Sequence, residues 1–298
     1  MSIQKLDIQI LVDDISGPPR TLGESGFSAL ANILFTDSTE LTILFDIGPS
    51  PVAFLNNIKN LEVDLTTIDA IVLSHGHWDH VGGLREALAK IKKGVPTICH
   101  PQTLSPKILI DNEEVIDVGI QGFFESVEDI NKQTNLITTT TPYKLAESVM
   151  TTGEVPRIND FEKLSDKHKK IITIKKGIKI PDKLIDDLSL IFHLADDTLV
   201  ILTGCCHAGI INTITLATKL TGSDKVIGIV GGLHLFDASD NRLSKTVKEL
   251  KTYPIRILAP CHCSGFRGRS ALSTAFGKKF REVVVSTILH FDANQLHS

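Results

Sequence analysis

Ser74-His-Gly-His-Trp-Asp-His80 places three imidazoles and a carboxylate directly after the apolar run Ile71–Leu73. In an extended segment, alternate residues point to the same side, so His75 and His77 share a face. Gly76 between them is expected to let the backbone bend, and the Gly82–Gly83 turn then leads into a helix. Imidazole and carboxylate together suit zinc, iron or manganese. The spacing divides the ligands, with His75 and His77 for one ion and Asp79 and His80 for a second. Two ions ~3.5–4 Å apart can share an activated hydroxide. The competing reading, an exposed polar loop that merely contains histidines, fits poorly with such density right after a buried strand.

Outward from this segment, Asp7–Val12, Ala29–Phe35, Leu41–Phe45, Ala70–Leu73 and Pro96–Cys99 read as buried strands, and Pro51–Leu61 and Leu84–Lys92 as helices. The stretch from about 102 to 187 is richer in Lys, Asp, Glu and Thr, and reads as an insertion within one domain spanning 1–298. The alternation then resumes with strands at Leu188–His193, Leu199–Thr203, Val226–Val230 and Ile255–Ala259. Helices are expected at Ile210–Leu220, Leu243–Lys251 and Ser270–Phe280. Three of these strands run into a Gly- or Pro-containing turn bearing histidine: Thr203-Gly-Cys-Cys-His207, Gly231-Gly-Leu-His234 and Pro260-Cys-His262. Strand ends in open α/β sheets form a common crevice, which is where ligands gather.

The His75–His80 segment resembles the metallo-β-lactamase superfamily, whose central motif is His-X-His-X-Asp-His. Phe45-Asp46-Ile-Gly48 is similar to that family's first motif, and Val63–Leu73 to its approach to the metal loop. More narrowly, the chain resembles a branch containing the pterin-ribofuranosylaminobenzene phosphate synthase-like proteins. That likeness rests on Glu24-Ser-Gly-Phe-Ser28, Thr152-Gly-Glu154, Thr203-Gly-Cys-Cys-His-Ala-Gly209, Gly231-Gly-Leu-His234 and Pro260-Cys-His-Cys-Ser-Gly265.

The resemblance implies an α/β (α+β) fold, an αββα sandwich with an inserted subdomain, and a site at one edge of the two sheets. It also implies two divalent metal ions, zinc first, with iron or manganese as alternatives. His262 matches the family's last ligand histidine, and His207 is taken for the remaining one. No Asp stands in Thr203–Ala208, where a bridging carboxylate belongs. Cys205 occupies about that place, and the bridge stays open between a cysteine, a water alone and His207.

Other residues carry two readings each. Asp46 is expected to orient a ligand histidine from behind, against a role in the turn before Gly48. His234 is a candidate acid–base group, against ligation or a structural hydrogen bond. His100, before Pro101, is a candidate pocket residue, against packing at a strand end. Arg267 and Arg269, with the helix start after Ala208-Gly209, suggest a bound anion, against a solvated pair of arginines. A structural zinc on Cys205, Cys206, Cys261 and Cys263 fits poorly, because paired Cys-X-X-Cys spacing is absent.

The 298 residues carry a net charge of −4, 22% charged and 42% apolar residues. This balance argues against a general nucleic-acid or membrane-surface binder. No apolar window approaches ~18 residues, and five cysteines with one vicinal pair do not form a secreted disulfide framework. The expectation is a cytoplasmic enzyme acting on a small anionic molecule, with a homo-oligomer left open. The reaction expected is hydrolysis, by a metal-activated hydroxide, of a phosphoester or similar substrate. Two alternatives are kept: a pterin-pathway phosphoribosyl-type synthase, and a di-iron redox or sensor protein.

Overall fold

In the computed structural model the apolar runs become two sheets whose inner faces meet. The structure describes residues 1–112, 114–120, 123–124, 126–166, 168–175 and 177–293. In the first half the elements are β1 (Ile3–Val12), β2 (Ser28–Phe35), β3 (Glu40–Phe45), α1 (Pro51–Asn60), β4 (Ala70–Val72), α2 (Trp78–Val81), α3 (Leu84–Leu88), β5 (Pro96–Cys99), β6 (Lys107–Asp111), β7 (Glu114–Asp117), α4 (Val127–Gln133), β8 (Asn135–Thr138), β9 (Lys144–Ala146) and β10 (Val149–Thr151). The second half adds β11 (Ile171–Lys175), β12 (Ile178–Pro181), β13 (Ser189–His193), β14 (Leu199–Thr203), α5 (Ile210–Thr221), β15 (Val226–Gly232), α6 (Asp240–Leu250), β16 (Ile257–Cys261), α7 (Gly265–Phe276) and β17 (Ile288–Asp292).

One sheet runs β17-β1-β2-β3-β4-β5-β8 and the other β16-β15-β14-β13-β10-β9. Strand alternation sorts the side chains into layers. Phe45, Val72, Phe192, Val200, Leu202 and Val230 meet between the sheets. Ile71 and Leu73, one residue out of phase with Val72, face outward onto Phe54 of α1 and Leu84 and Leu88 of α3. On the far side, Ile191, Ile201 and Ile229 face Ile214 of α5, Leu243 of α6 and Leu272 of α7. The result is helix, sheet, sheet, helix, with the central strands buried on both faces as their unbroken apolar runs require.

Several boundaries differ from the sequence reading, among them α3, which ends at Leu88 instead of Lys92, and β16, at Ile257–Cys261 instead of Ile255–Ala259. β1 begins at Ile3, and β17, unanticipated, pairs with it antiparallel. α7 spans Gly265–Phe276 instead of Ser270–Phe280, because the turn His262–Ser264 leads straight into it and Gly277, at φ 53°, ends it.

The region from 102 to 187 does not stay together as one unit. β8 extends the first sheet and β9 and β10 the second, whereas β6, β7, β11 and β12 form a separate four-stranded sheet. This small sheet is anchored by Lys107, fully buried, whose Nζ donates to Asp182 at 2.8 Å and Asp186 at 3.0 Å. Burial opposes the charged ammonium, but the two carboxylates outweigh it and raise the Lys107 pKa. Removing one member of such a group strands uncompensated charge, at about 3–5 kcal/mol. Lys107→Ala should therefore lose about that much in chemical denaturation, and a loss under 1 kcal/mol would show that the group does not anchor the sheet.

Candidate metal centre

Asp46 follows β3, His75–His80 follow β4, Cys205–His207 follow β14, His234 follows β15 and His262 follows β16. β3–β4 and β14–β15–β16 are parallel pairings, so these loops leave the same edge of their sheets. Several turn sharply: Asp46 (φ 56°), Cys206 (59°), His234 (48°) and His262 (46°) are left-handed without being glycine. Such residues cost of order 1–3 kcal/mol each and cluster where geometry serves function. Gly76 has no positive φ. It is needed for room, since a Cβ there would collide with the Thr103 carbonyl.

The Asp46 carboxylate is the hub. It accepts from the Ser74 amide (2.7 Å), from Ser74 Oγ (2.6 Å) and from His80 Nδ1 (2.7 Å). Because the Ser74 hydroxyl has spent its proton on Asp46, it accepts from His75 Nδ1 at 2.9 Å. His262 Nδ1 donates in the same way to Asp14 at 3.0 Å. Each bond puts the ring proton on Nδ1 and leaves Nε2 as a bare lone pair facing inward. Gly204 permits this closeness, because a Cβ there would strike Ser74 Oγ.

The inward atoms form two groups. His75 Nε2 stands 3.0 Å from His77 Nδ1 and 3.3 Å from His207 Nε2. Cys205 Sγ lies 3.2 Å from His80 Nε2 and 3.5 Å from His262 Nε2, with Asp79 Oδ2 at 3.7 and 3.4 Å from the same two nitrogens. Around a tetrahedral zinc, two nitrogen ligands stand about 3.3 Å apart, and a nitrogen and a sulfur about 3.6 Å. The donor set therefore fits metal ions, and lone pairs brought this close without an intervening cation would repel. Cys205 also lies within reach of His75 and His207, so its sulfur touches both groups. Its sulfur thus stands between the two groups.

Electrostatics agree with this arrangement. Burial drives the His75 and His207 pKa values well down and the His77 value down to about 3, the Lys107 charge adding to the last. For Asp79, the His80 and His262 rings outweigh burial and lower the carboxyl pKa. Against burial, Asp79 and Asp46 raise His80, and Cys263, Asp14 and Asp79 raise His262. The lone pairs of these two rings are therefore ones on which a bound cation would replace a proton. Burial pushes the Cys205 thiol up, and a bound cation reverses that by replacing its proton.

Three aspartates not singled out in the sequence steady the ligand loops. Asp186 accepts from the Gly76 amide and Asp187 from the Ala208 amide, both at 2.9 Å. Asp13 accepts from the His262 amide at 2.8 Å. Asp13 and Asp14 end an apolar strand as Asp46 does, a signal open to reading. His168 sits in the lysine-rich Asp166–Lys170, where nothing in the sequence singles it out.

A cavity of about 450 Å³ opens over these ligands, lined among others by His77, Trp78, Asp79, Cys205, His207, His234 and His262. The structure does not bring the remaining candidates there. Arg267 is half-exposed and paired with Asp240 at 2.6 Å, its helix turned outward, and Arg269 lines a neighbouring cleft beside Glu282. His100 accepts from the Gln102 amide and pairs with Glu154 at 3.0 Å in a separate cavity.

A two-sheet sandwich with a histidine-rich edge defines a class of metal-binding enzyme folds. The chain belongs to the metallo-beta-lactamase superfamily. Residues 30–105 match that superfamily's sequence profile. The chain is 32% identical to an uncharacterised protein of Methanocaldococcus jannaschii, over 89% of this chain and 93% of the relative. It is 29% identical, over 98% and 99%, to the 7,8-dihydropterin-6-methyl-4-(beta-D-ribofuranosyl)-aminobenzene-5'-phosphate synthase of the same organism. A crystal structure described as a metal-dependent hydrolase of the beta-lactamase superfamily is similar at 25% identity, covering 96% of this chain and 99% of that one, with a TM-score of 0.77. A diphosphatase from the PhnP family shares the fold alone, at 13% identity, a TM-score of 0.53 and coverage of 97% and 98%. Among the described residues no helix is long and apolar enough to cross a membrane.

Residues that fix a ligand's tautomer typically contribute 10–100-fold to metal affinity. Asp46→Asn should weaken metal binding by about that factor in chelator competition, and unchanged affinity would remove Asp46 as the hub.

Proposed function

We propose that this chain is a metal-dependent hydrolase of a phosphoester or another small anionic molecule, using two divalent ions, zinc first. The observation that carries this reading is the convergence, beside the cavity, of His75 Nε2, His77 Nδ1 and His207 Nε2 with Asp79, His80 and His262, Cys205 lying between the two sets. His75, His77 and His207 would hold one ion; Asp79, His80 and His262 the other; Cys205 would join them. Such ions lower the pKa of water to ~7 and stabilise charge on oxygen.

The remaining chemistry falls to the chain's own groups. Asp79 is ionised and its side chain is 20% exposed, toward the cavity. Its Oδ2 faces His80 and His262, so Oδ1 is left to take the proton of the attacking water. His234, on the cavity wall, is placed to return a proton to the leaving oxygen. Water attacks phosphorus, the bond to the leaving oxygen breaks, and the two proton transfers balance.

The likeness to a solved metal-dependent hydrolase supports this reading. A second reading, a synthase joining a phosphoribosyl-type donor to an aromatic amine, has the nearly full-length likeness to the pterin-pathway enzyme in its favour. Chromogenic phosphomonoesters and phosphodiesters should be turned over by the zinc-loaded protein if the first is right. Product formed only from a ribosyl phosphate donor with an aminobenzene acceptor would favour the second.

His77→Ala and Asp79→Ala should each abolish metal loading or turnover while circular dichroism stays unchanged. If both variants kept full metal content and activity, the metal-dependent reading would fail.

A further inference from the structure

The cavity wall holds a second set of imidazoles, of which the reaction above uses only parts. His168, His207 and His234 are all buried, with ring centroids 5.0, 4.4 and 4.4 Å apart. One ligand atom from each lies within 4.8 Å of the others, and all three side chains line the cavity. They arrive from three places in the fold: the turn His168–Lys170 before β11, the loop after β14 and the loop after β15.

The polar edges of His207 and His234 are poorly satisfied. Neither ring nitrogen of His234 makes a well-formed hydrogen bond, though the Cys263 sulfur is a near neighbour. Nδ1 of His207 is likewise buried without a partner. Buried polar atoms are nearly always satisfied, so those left over at a cavity wall point to a ligand.

Resting on the hydrolytic reading, we propose that His168, His234 and the Nδ1 edge of His207 form an anion subsite that receives the phosphoryl oxygens of the substrate. The tautomers decide between an anion and a third cation. His207 presents Nε2 to His75 and the first ligand group, so its proton sits on Nδ1, which is then a donor only. A cation there would require an imidazolate. His168 Nδ1 lies 2.7 Å from Ser165 Oγ, and the tautomer in which that hydroxyl donates carries the His168 proton on Nε2. An anionic oxygen can take N–H donors from all three rings, and hydrogen bonds to charged groups are the stronger ones.

The described residues lining the cavity include no lysine or arginine, so the imidazoles fill the part that Arg267 and Arg269 were expected to play. Trp78, Leu109, Val118, Ile171 and Phe236 supply an apolar wall. The substrate class that fits is a phosphate ester with a flat or apolar body.

The test is calorimetric titration of inorganic phosphate into the metal-loaded protein, with metal content counted in parallel. His168→Asn and His234→Asn should each weaken phosphate binding about tenfold or more, with metal content unchanged. Unchanged phosphate affinity in both would overturn the proposal, and so would loss of one metal equivalent in either, which would mark a cation site. Should His168→Asn fail to fold, Ser165→Ala, which removes only the hydroxyl that sets the tautomer, carries the same test and the same outcomes. Turnover is not read here, so the two claims separate. Weakened phosphate binding in a protein that hydrolyses no phosphoester would sink the hydrolytic reading and keep the subsite. Intact phosphate binding in variants of an active hydrolase would do the reverse.

Discussion

A single buried carboxylate, Asp46, sets the proton positions on which the centre depends. It takes the Ser74 amide and hydroxyl and the His80 ring at once. Through the serine it also dictates the tautomer of His75, so two imidazoles from one loop are oriented by one group. The constraint reaches into the second sheet as well. The loop after β14 can bring Cys205 within 3.2 Å of His80 only because Gly204 lacks the Cβ that would strike Ser74.

The same loops are held from the opposite side by the region that forms the small sheet. Asp186 grips the backbone between His75 and His77, and its charge is balanced by Lys107, which also holds Asp182. Asp187 grips the backbone just after His207, and burial pushes its own carboxyl up to about 6. The extra sheet is therefore more than a cover. It supplies buried charge that stiffens both ligand loops, and it leads from β11 back to His168 at the cavity wall. Rigid support of this kind keeps a site within the small tolerances that catalysis demands.

Cys205 is the point at which the chain departs from the expected ligand pattern. The superfamily pattern implies a carboxylate at that strand end, and the chain offers a thiol whose sulfur lies within reach of both ligand groups. The soft ligand suits zinc or iron better than the hard cations.

The sequence by itself determined the parts whose signal is local. An unbroken apolar run followed by dense histidine marks a buried strand ending at a site, and this gave His75–His80, His207 and His262. An Asp before glycine at a strand end marked Asp46. Strand and helix periods gave the individual elements, because alternation and helical spacing are written in neighbouring residues, while the sandwich followed from the resemblance to the superfamily. Only the tertiary structure decided which distant groups meet. Asp14 and His262 pair across 248 residues, and His168 comes out of a lysine-rich stretch that reads as solvated. Arg267 and Arg269, near His262 in sequence, are carried off the cavity by the direction in which α7 leaves its turn. Local pattern fixes which face of an element is buried; where that face lands depends on packing between elements, and no spacing along the chain records it.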